Sequence, residues 1–267
     1  MAYKDDIVKR VSRALSIVTE IFQDFAPGAV GVEIKQGGDP VTEVDRTVDT
    51  ALRKLLPQNG EGWLSEETVD DLARLNKQCV WIVDPLDGTK EFIAGIPEWC
   101  VSIAFAEDGK IVAAGICNPV TEQVFLASKE TGTTLNGNPV RVSTHRSLDG
   151  ATVLASRSEV KRGEWERFAG EPFTVVPTGS VAYKLALVAA GQADALISLA
   201  PKNEWDIAAG VLLVEAAGGQ VATLDDKPLT FNREHTLVNG LVAANPFLLK
   251  QIHKLLGRLE HSKAGAN

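Results

Sequence analysis

Cysteine, methionine, tyrosine and histidine are scarce in this chain: 3, 1, 2 and 4 residues respectively among 267. Cys79, Cys100 and Cys117 cannot all pair and show neither CxxC nor metal-type spacing, so a disulfide framework and a thiolate metal centre are excluded. They read as buried, reduced thiols in apolar strands. His145, His235, His253 and His261 stand in polar or helical surface contexts without a nucleophile elbow, which sets aside serine or cysteine hydrolysis. No GxGxxG follows a strand, and Gly132-Thr-Thr-Leu-Asn-Gly137-Asn138 lacks the Lys-Ser/Thr of a phosphate loop; it reads as a hairpin turn. There is no run of five or six basic residues and the net charge is −8, so no nucleic-acid polymer is expected as partner. No stretch of about 18 apolar residues occurs and the N-terminal MAYKDDIVKR has no apolar signal core, so no membrane role is expected and the predicted location is cytoplasmic.

What is present is enough apolar material, 45%, for a sizeable core. Ile7, Val11, Leu15, Val18, Phe22 and Phe25 recur every three or four positions and stop at Pro27-Gly28, predicting an amphipathic helix; a second carries Val44, Val48, Ala51, Leu52 and Leu55 up to Pro57. Strand patterns at 79–83, 100–106, 111–117 and 123–127, separated by turn signals such as Glu107-Asp108-Gly109 and Asn118-Pro119, predict an antiparallel meander. After about residue 145 the pattern alternates: strand 151–155, helix 159–169, strand 173–176, helix 181–190, strand 194–199, helix 206–217, strand 241–244 and helix 246–259. The expectation is a layered α/β (α+β) chain in two closely packed parts, 1–145 and 146–267, with a polar, frayed tail from His261 to Asn267.

The densest signal is Trp81-Ile-Val-Asp84-Pro85-Leu86-Asp87-Gly88-Thr89-Lys90-Glu91-Phe92, a near-continuous apolar strand ending in two carboxylates. Pro85 and Gly88 force turns, so both carboxylates and the Leu86 carbonyl can face one pocket, a set of hard oxygen ligands suited to Mg²⁺. Gly88 and Thr89 can open a short helix whose N–H groups face the same place, a phosphate subsite. Taken alone, an Asp-Pro-x-Asp-Gly sequence is an ordinary solvated turn. Three further acidic segments join it: Trp63-Leu-Ser-Glu66-Glu67, Asp39-Pro-Val-Thr42-Glu-Val-Asp45, and Glu204-Trp205-Asp206-Ile-Ala-Ala-Gly210. Singly, Asp39, Asp45 and Asp206 read equally as helix caps or first-turn acids.

WLSEE, WIVDPLDGTKEF and EWDIAAG, in this order and spacing, resemble the signatures of the inositol monophosphatase superfamily over roughly residues 33 to 219. The resemblance implies an αβαβα sandwich and a metal-ligand set of Glu66, Asp84, Asp87 and Asp206 with the Leu86 carbonyl, Asp84 bridging two of two or three Mg²⁺ ions. It further implies that Asp45 and Thr89 orient or deprotonate the attacking water, with Glu66 beside them, while the ions activate that water and stabilise the leaving oxygen. Glu67 stays outside the catalytic set. A small phosphorylated metabolite as substrate, a homodimer and inhibition by lithium follow from the same resemblance.

Within that superfamily several features are similar to the bacterial 3'(2'),5'-bisphosphate nucleotidase branch, which converts adenosine 3',5'-bisphosphate to AMP and phosphate. Lys90-Glu91-Phe92 replaces the Thr-Asn-Phe usual for inositol phosphatases. Gly179-Ser180-Val-Ala-Tyr-Lys184 resembles a nucleotidase Gly-Ser-x-x-Lys stretch, so Ser180 and Lys184 are expected to contact substrate, Lys184 holding a second phosphate as a point charge. Ser198 or Leu199, with Lys202 following, stands where inositol phosphatases carry a glutamate, and Ser156-Arg157-Ser158 is a weaker marker. The alternatives are an inositol-1-monophosphatase or related phosphatase, and a catalytically silent regulatory module of the same fold.

Overall fold

The computed structural model describes residues 2–29, 31–34, 40–58 and 60–264, with side chains over residues 6–259 of these. Asp39 and the last three residues of the tail, 265–267, lie outside the described residues. The elements run α1 (Ala2–Phe22), β1 (Val32–Ile34), β2 (Pro40–Thr42), α2 (Glu43–Leu55), β3 (Gly62–Ser65), β4 (Cys79–Asp87), α3 (Thr89–Ile93), β5 (Cys100–Glu107), β6 (Lys110–Asn118), β7 (Gln123–Ser128), β8 (Gly132–Leu135) and β9 (Asn138–Val140). Then follow β10 (Thr152–Ser156), α4 (Arg157–Lys161), β11 (Thr174–Thr178), α5 (Val181–Ala189), β12 (Ala195–Ser198), α6 (Glu204–Ala216), β13 (Gln220–Thr223), β14 (Leu241–Ala244) and α7 (Pro246–Ala264).

Two sheets organise the chain. The seven-stranded sheet runs β3-β4-β5-β6-β7-β8-β9, with β3 parallel to β4 and the rest an antiparallel meander closed by the β8–β9 hairpin. The five-stranded sheet runs β11-β10-β12-β14-β13, parallel through its first three strands and antiparallel thereafter.

Alternation along the strands explains the layers, because successive side chains of a strand face opposite sides of the sheet. On β4, Trp81 and Val83 pack with Val11, Leu15, Val48 and Leu52 of α1 and α2, whereas Val80 and Ile82 pack with α5 and α6. On the second sheet, Leu154 and Leu196 face α5 and α6, and Val153 and Ile197 face α7. Helices α5 and α6 therefore fill the space between the sheets, which is why they are apolar nearly all round, with eight and nine buried residues. The result is an αβαβα sandwich. One buried cluster joins both sheets across residue 145.

The helix expected at 159–169 is broken. α4 stops at Lys161, Gly163 takes φ +77°, and a 3-10 turn follows at Glu166–Phe168. The break turns Trp165 and Phe168 into the core, where Trp165 Nε1 donates to the fully buried Glu159 at 3.1 Å. The sequence pattern does not mark β1, β2 and β3, too short for periodicity to register, nor β13, which follows directly on Gly218-Gly219; β8 and β9 appear in it only as a hairpin turn. Residues 261–264, expected to fray, continue α7. Of the histidines read as surface residues, His253 is half-buried, its Nε2 2.9 Å from the Thr223 carbonyl oxygen.

Candidate active site

β4 delivers its two aspartates through a kink. Pairing with β5 is regular up to Asp84↔Ser102 and resumes at Asp87↔Cys100, so β4 carries one extra residue there, a β-bulge at Pro85-Leu86. Asp84 Oδ1 accepts the Leu86 N–H at 2.9 Å, closing a tight turn. Gly88, at φ +99°, reverses the chain in a conformation that costs other residues energy, and α3 starts at Thr89.

Glu66 follows directly on β3, its N–H donating to the Val83 carbonyl at 3.3 Å, so the parallel β3–β4 pair sets Glu66 beside Asp84. α6 supplies Asp206, which closes a capping box with Asn203: Asp206 Oδ2 accepts the Asn203 N–H at 2.8 Å. Carboxylate oxygens of Glu66, Asp84 and Asp206 lie within 4.8 Å of one another. Asp84 is 1% exposed, and its Oδ2 is buried without a hydrogen-bond partner.

Burial, with Glu66, Asp87 and Asp206 nearby, holds the Asp84 carboxyl well above the usual carboxylate range. Asp206 is likewise pushed well up, first by burial and then by Asp87 and Glu66. An orphaned buried carboxylate oxygen inside a ring of carboxylates is costly without a cation, and three converging oxygen ligands suit a hard divalent ion. The residues fit Mg²⁺.

Asp45 and Thr89 come together as expected from the resemblance. Thr89 Oγ1 lies 3.2 Å from Asp45 Oδ1 and 3.1 Å from the Leu86 carbonyl oxygen, while Asp45 Oδ2 accepts the Thr42 N–H at 2.8 Å in the capping box that opens α2. Asp87 lies outside the three-carboxylate group; its Oδ2 accepts from Ser180 Oγ and from the Ala182 N–H, both at 2.6 Å. A cleft of about 310 Å³ is lined by Glu66, Asp87, Thr89 and Asp206 together with Arg157, Lys184 and Lys202.

Lys184 overturns the expectation that it holds a second phosphate. It is 2% exposed and its ammonium donates to the carbonyls of Thr178, Gly179 and Ser180 at 2.8, 2.9 and 2.9 Å, which uses every N–H it has. Burial drops it to about 8 despite the nearby Asp87. Ser180 does meet the site, through Asp87.

Sequence reasoning missed the residues that hold the site's loops. Asp49 of α2 accepts from Ser65 Oγ at 2.5 Å and Thr68 Oγ1 at 2.9 Å, bracketing Glu66 and Glu67; its position four residues after Asp45, on the same helix face, was the available signal. Glu159 accepts the N–H groups of Leu199 and Ala200 at 3.1 and 2.9 Å, fixing the loop that leads to Lys202 and α6. Nothing in sequence marks Glu159 as buried.

Because folding raises the pKa of Asp84 and Asp206, the metal-free folded chain holds protons that the unfolded chain has released. Their contribution to stability is complete below the ordinary carboxylate range and is lost as pH rises through the raised values. In EDTA the unfolding temperature is expected to fall more steeply, as pH rises above the ordinary carboxylate range, than at saturating Mg²⁺, where the ion replaces the protons. Parallel pH profiles with and without Mg²⁺ by scanning calorimetry would refute the cluster as a cation site.

The model of the inositol monophosphatase family matches residues 5–261. The chain is 32% identical over 255 residues to the Nus factor SuhB of Escherichia coli K12, with 91% of each chain covered. It is 31% identical over 243 residues to the inositol-1-monophosphatase of Rhizobium meliloti, covering 87% of this chain and 88% of that one. A solved IMPase of Thermotoga maritima superposes with a TM-score of 0.79 at 27% identity, covering 98% of this chain and 99% of its own. Fold, carboxylate cluster and sequence matches agree: the chain belongs to the inositol monophosphatase family.

Proposed function

We propose that this chain is a Mg²⁺-dependent phosphomonoesterase that hydrolyses a small, multiply charged phosphate ester. The observation that carries the reading is the buried, partnerless Oδ2 of Asp84 grouped with Glu66 and Asp206, the latter two lining an open polar cleft. Glu66, Asp84, Asp206, Asp87 and the Leu86 carbonyl would hold Mg²⁺, which supplies Lewis-acid polarisation of the phosphoryl group and a lowered pKa for water. The chain's own groups do the rest. Asp45 orients the Thr89 hydroxyl, whose oxygen accepts a hydrogen bond from the attacking water and fixes its lone pair toward phosphorus. The N–H groups of Gly88 and Thr89, at the cleft wall, receive phosphate oxygens.

As substrate we propose adenosine 3',5'-bisphosphate, the substrate of 3'(2'),5'-bisphosphate nucleotidases, with Lys202 and Arg157, which line the cleft, and not Lys184, as the cations for its second phosphate. Lys202 sits on the loop fixed by Glu159, close enough to Asp206 for its charge to oppose, without reversing, the upward push that burial, Asp87 and Glu66 give that carboxyl. The second reading, inositol-1-monophosphatase, is favoured by the name of the Rhizobium relative. Inhibition by Li⁺ belongs to either.

Phosphate release should require Mg²⁺, vanish in EDTA and return with added Mg²⁺. Across adenosine 3',5'-bisphosphate, inositol 1-phosphate, fructose 1,6-bisphosphate and histidinol phosphate, the first should give the highest kcat/KM. Lys202→Ala should raise its KM about tenfold, as the loss of one charge-assisted contact of about 1.5 kcal/mol. Turnover in EDTA would overturn the phosphatase mechanism; preference for inositol 1-phosphate would transfer the substrate to the second reading.

A further inference from the structure

We propose that the Thr178–Gly179–Ser180 turn, pinned by Lys184, positions Asp87 for metal binding, with Lys184 and Ser180 as positioning residues; this rests on the phosphatase reading of the site. The turn joins the end of β11 to the start of α5, and its three carbonyls converge on one ammonium, Lys184 Nζ, at 2.8–2.9 Å. Three carbonyl dipoles aimed at one point repel one another, and a buried cation offsets that repulsion. Side chains on a helix lean toward its N-terminus, so a lysine in the first turns of α5 folds back over the carbonyls that precede the helix.

The turn is held on its other sides too. The Gly179 N–H donates to Glu98 Oε2 at 2.7 Å, and a Cβ on Gly179 would meet Glu91 Cγ at 2.4 Å and the Glu98 carbonyl oxygen at 2.7 Å. Ser180 takes φ +44° and ψ +121°, a backbone that costs a non-glycine residue energy and persists where the surroundings enforce it. Glycine would remove that strain, so a serine here needs another reason. Its hydroxyl oxygen accepts the Tyr183 N–H at 2.9 Å, and its proton goes to Asp87 Oδ2 at 2.6 Å. The Ala182 N–H donates to the same oxygen at 2.6 Å. Two donors on one oxygen fix the plane of the Asp87 carboxylate and leave its other oxygen to the ion, the arrangement by which outer groups orient metal ligands.

The test is calorimetric titration of Mg²⁺, with Mn²⁺ as a second probe, into the metal-free full chain. Ser180→Gly is expected to unfold in EDTA at or above the wild-type temperature, because strain is relieved, yet to bind metal about 10- to 100-fold more weakly. Stability and metal affinity thus separate, which a purely structural serine would not allow. Lys184→Met should weaken binding by a similar factor, Lys184→Gln by less because it keeps two donors, and Lys184→Met with Ser180→Gly should be far from additive. Wild-type metal affinity in Ser180→Gly, or in a folded Lys184 variant, overturns the proposal. If both Lys184 variants fail to fold, the pin is indispensable to the turn and Ser180→Gly decides whether the turn serves Asp87. Asp84→Asn in the same titration must lose metal; if it does not, the metal site itself is wrong, an outcome distinct from a failure of the turn.

Discussion

Asp84→Asn is expected to lower phosphate release by about 10³-fold or more at saturating Mg²⁺ while raising the unfolding midpoint of the metal-free protein. The first effect follows from removing a negative ligand at the centre of the cluster; a loss of about 4 kcal/mol of transition-state stabilisation is about 10³ in rate. The second follows from Asp84 being buried against Glu66, Asp87 and Asp206, so that its charge opposes folding when no cation is bound. Asparagine is nearly isosteric, and its side-chain oxygen can still accept the Leu86 N–H, so the bulge should survive. Activity and metal-free stability should therefore move in opposite directions. An ordinary structural aspartate would lose both, and near-wild-type turnover would remove Asp84 from the site altogether.

Thr89→Ala is expected to reduce kcat by about 10²–10⁴-fold, the range for losing a positioned proton-transfer partner. KM and the Mg²⁺ concentration for half-maximal rate should change less than kcat, because the hydroxyl is itself no carboxylate of the cluster and alanine leaves the Leu86 carbonyl and the backbone N–H of this position in place. Thr89→Ser keeps the hydroxyl and should restore kcat to within about tenfold. Thr89 is the better probe than Asp45, because Asp45 also caps α2 through Thr42 and its replacement would disturb the helix start. A kcat unaffected in Thr89→Ala would show that the attacking water is oriented without this hydroxyl.

The three acids that the structure groups, Glu66, Asp84 and Asp206, were legible in sequence as candidates, whereas the basic residues lining the cleft were not legible as its neighbours. Glu66 follows a short apolar run, Asp84 comes where the apolar run of β4 gives way to Pro85, and Asp206 falls in the first turn of α6, features that a single segment displays. Lys202 and Arg157 were visible as charges, but nothing local says that the loop before α6 and the start of α4 face the same cleft. Lys184 shows the opposite failure. A basic residue after Gly-Ser looked like an anion ligand, and burial turned its donors inward to backbone carbonyls.

The amino-acid sequence by itself determined the periodicities that make α1, α2, α5, α6 and the central strands, the alternation that gives β4 two apolar faces, and the Pro85 and Gly88 turns that end β4 in carboxylates. These depend on neighbours within a few residues, where steric and hydrogen-bonding rules act directly. Only the tertiary structure decided which acids meet. Glu66 reaches Asp84 because β3 pairs parallel to β4, and Asp206 joins them because α6 is buried between the two sheets. Distance in sequence carries no information about such contacts, and burial, which sets the pKa of Asp84 and the partners of Lys184, exists only once the layers have closed.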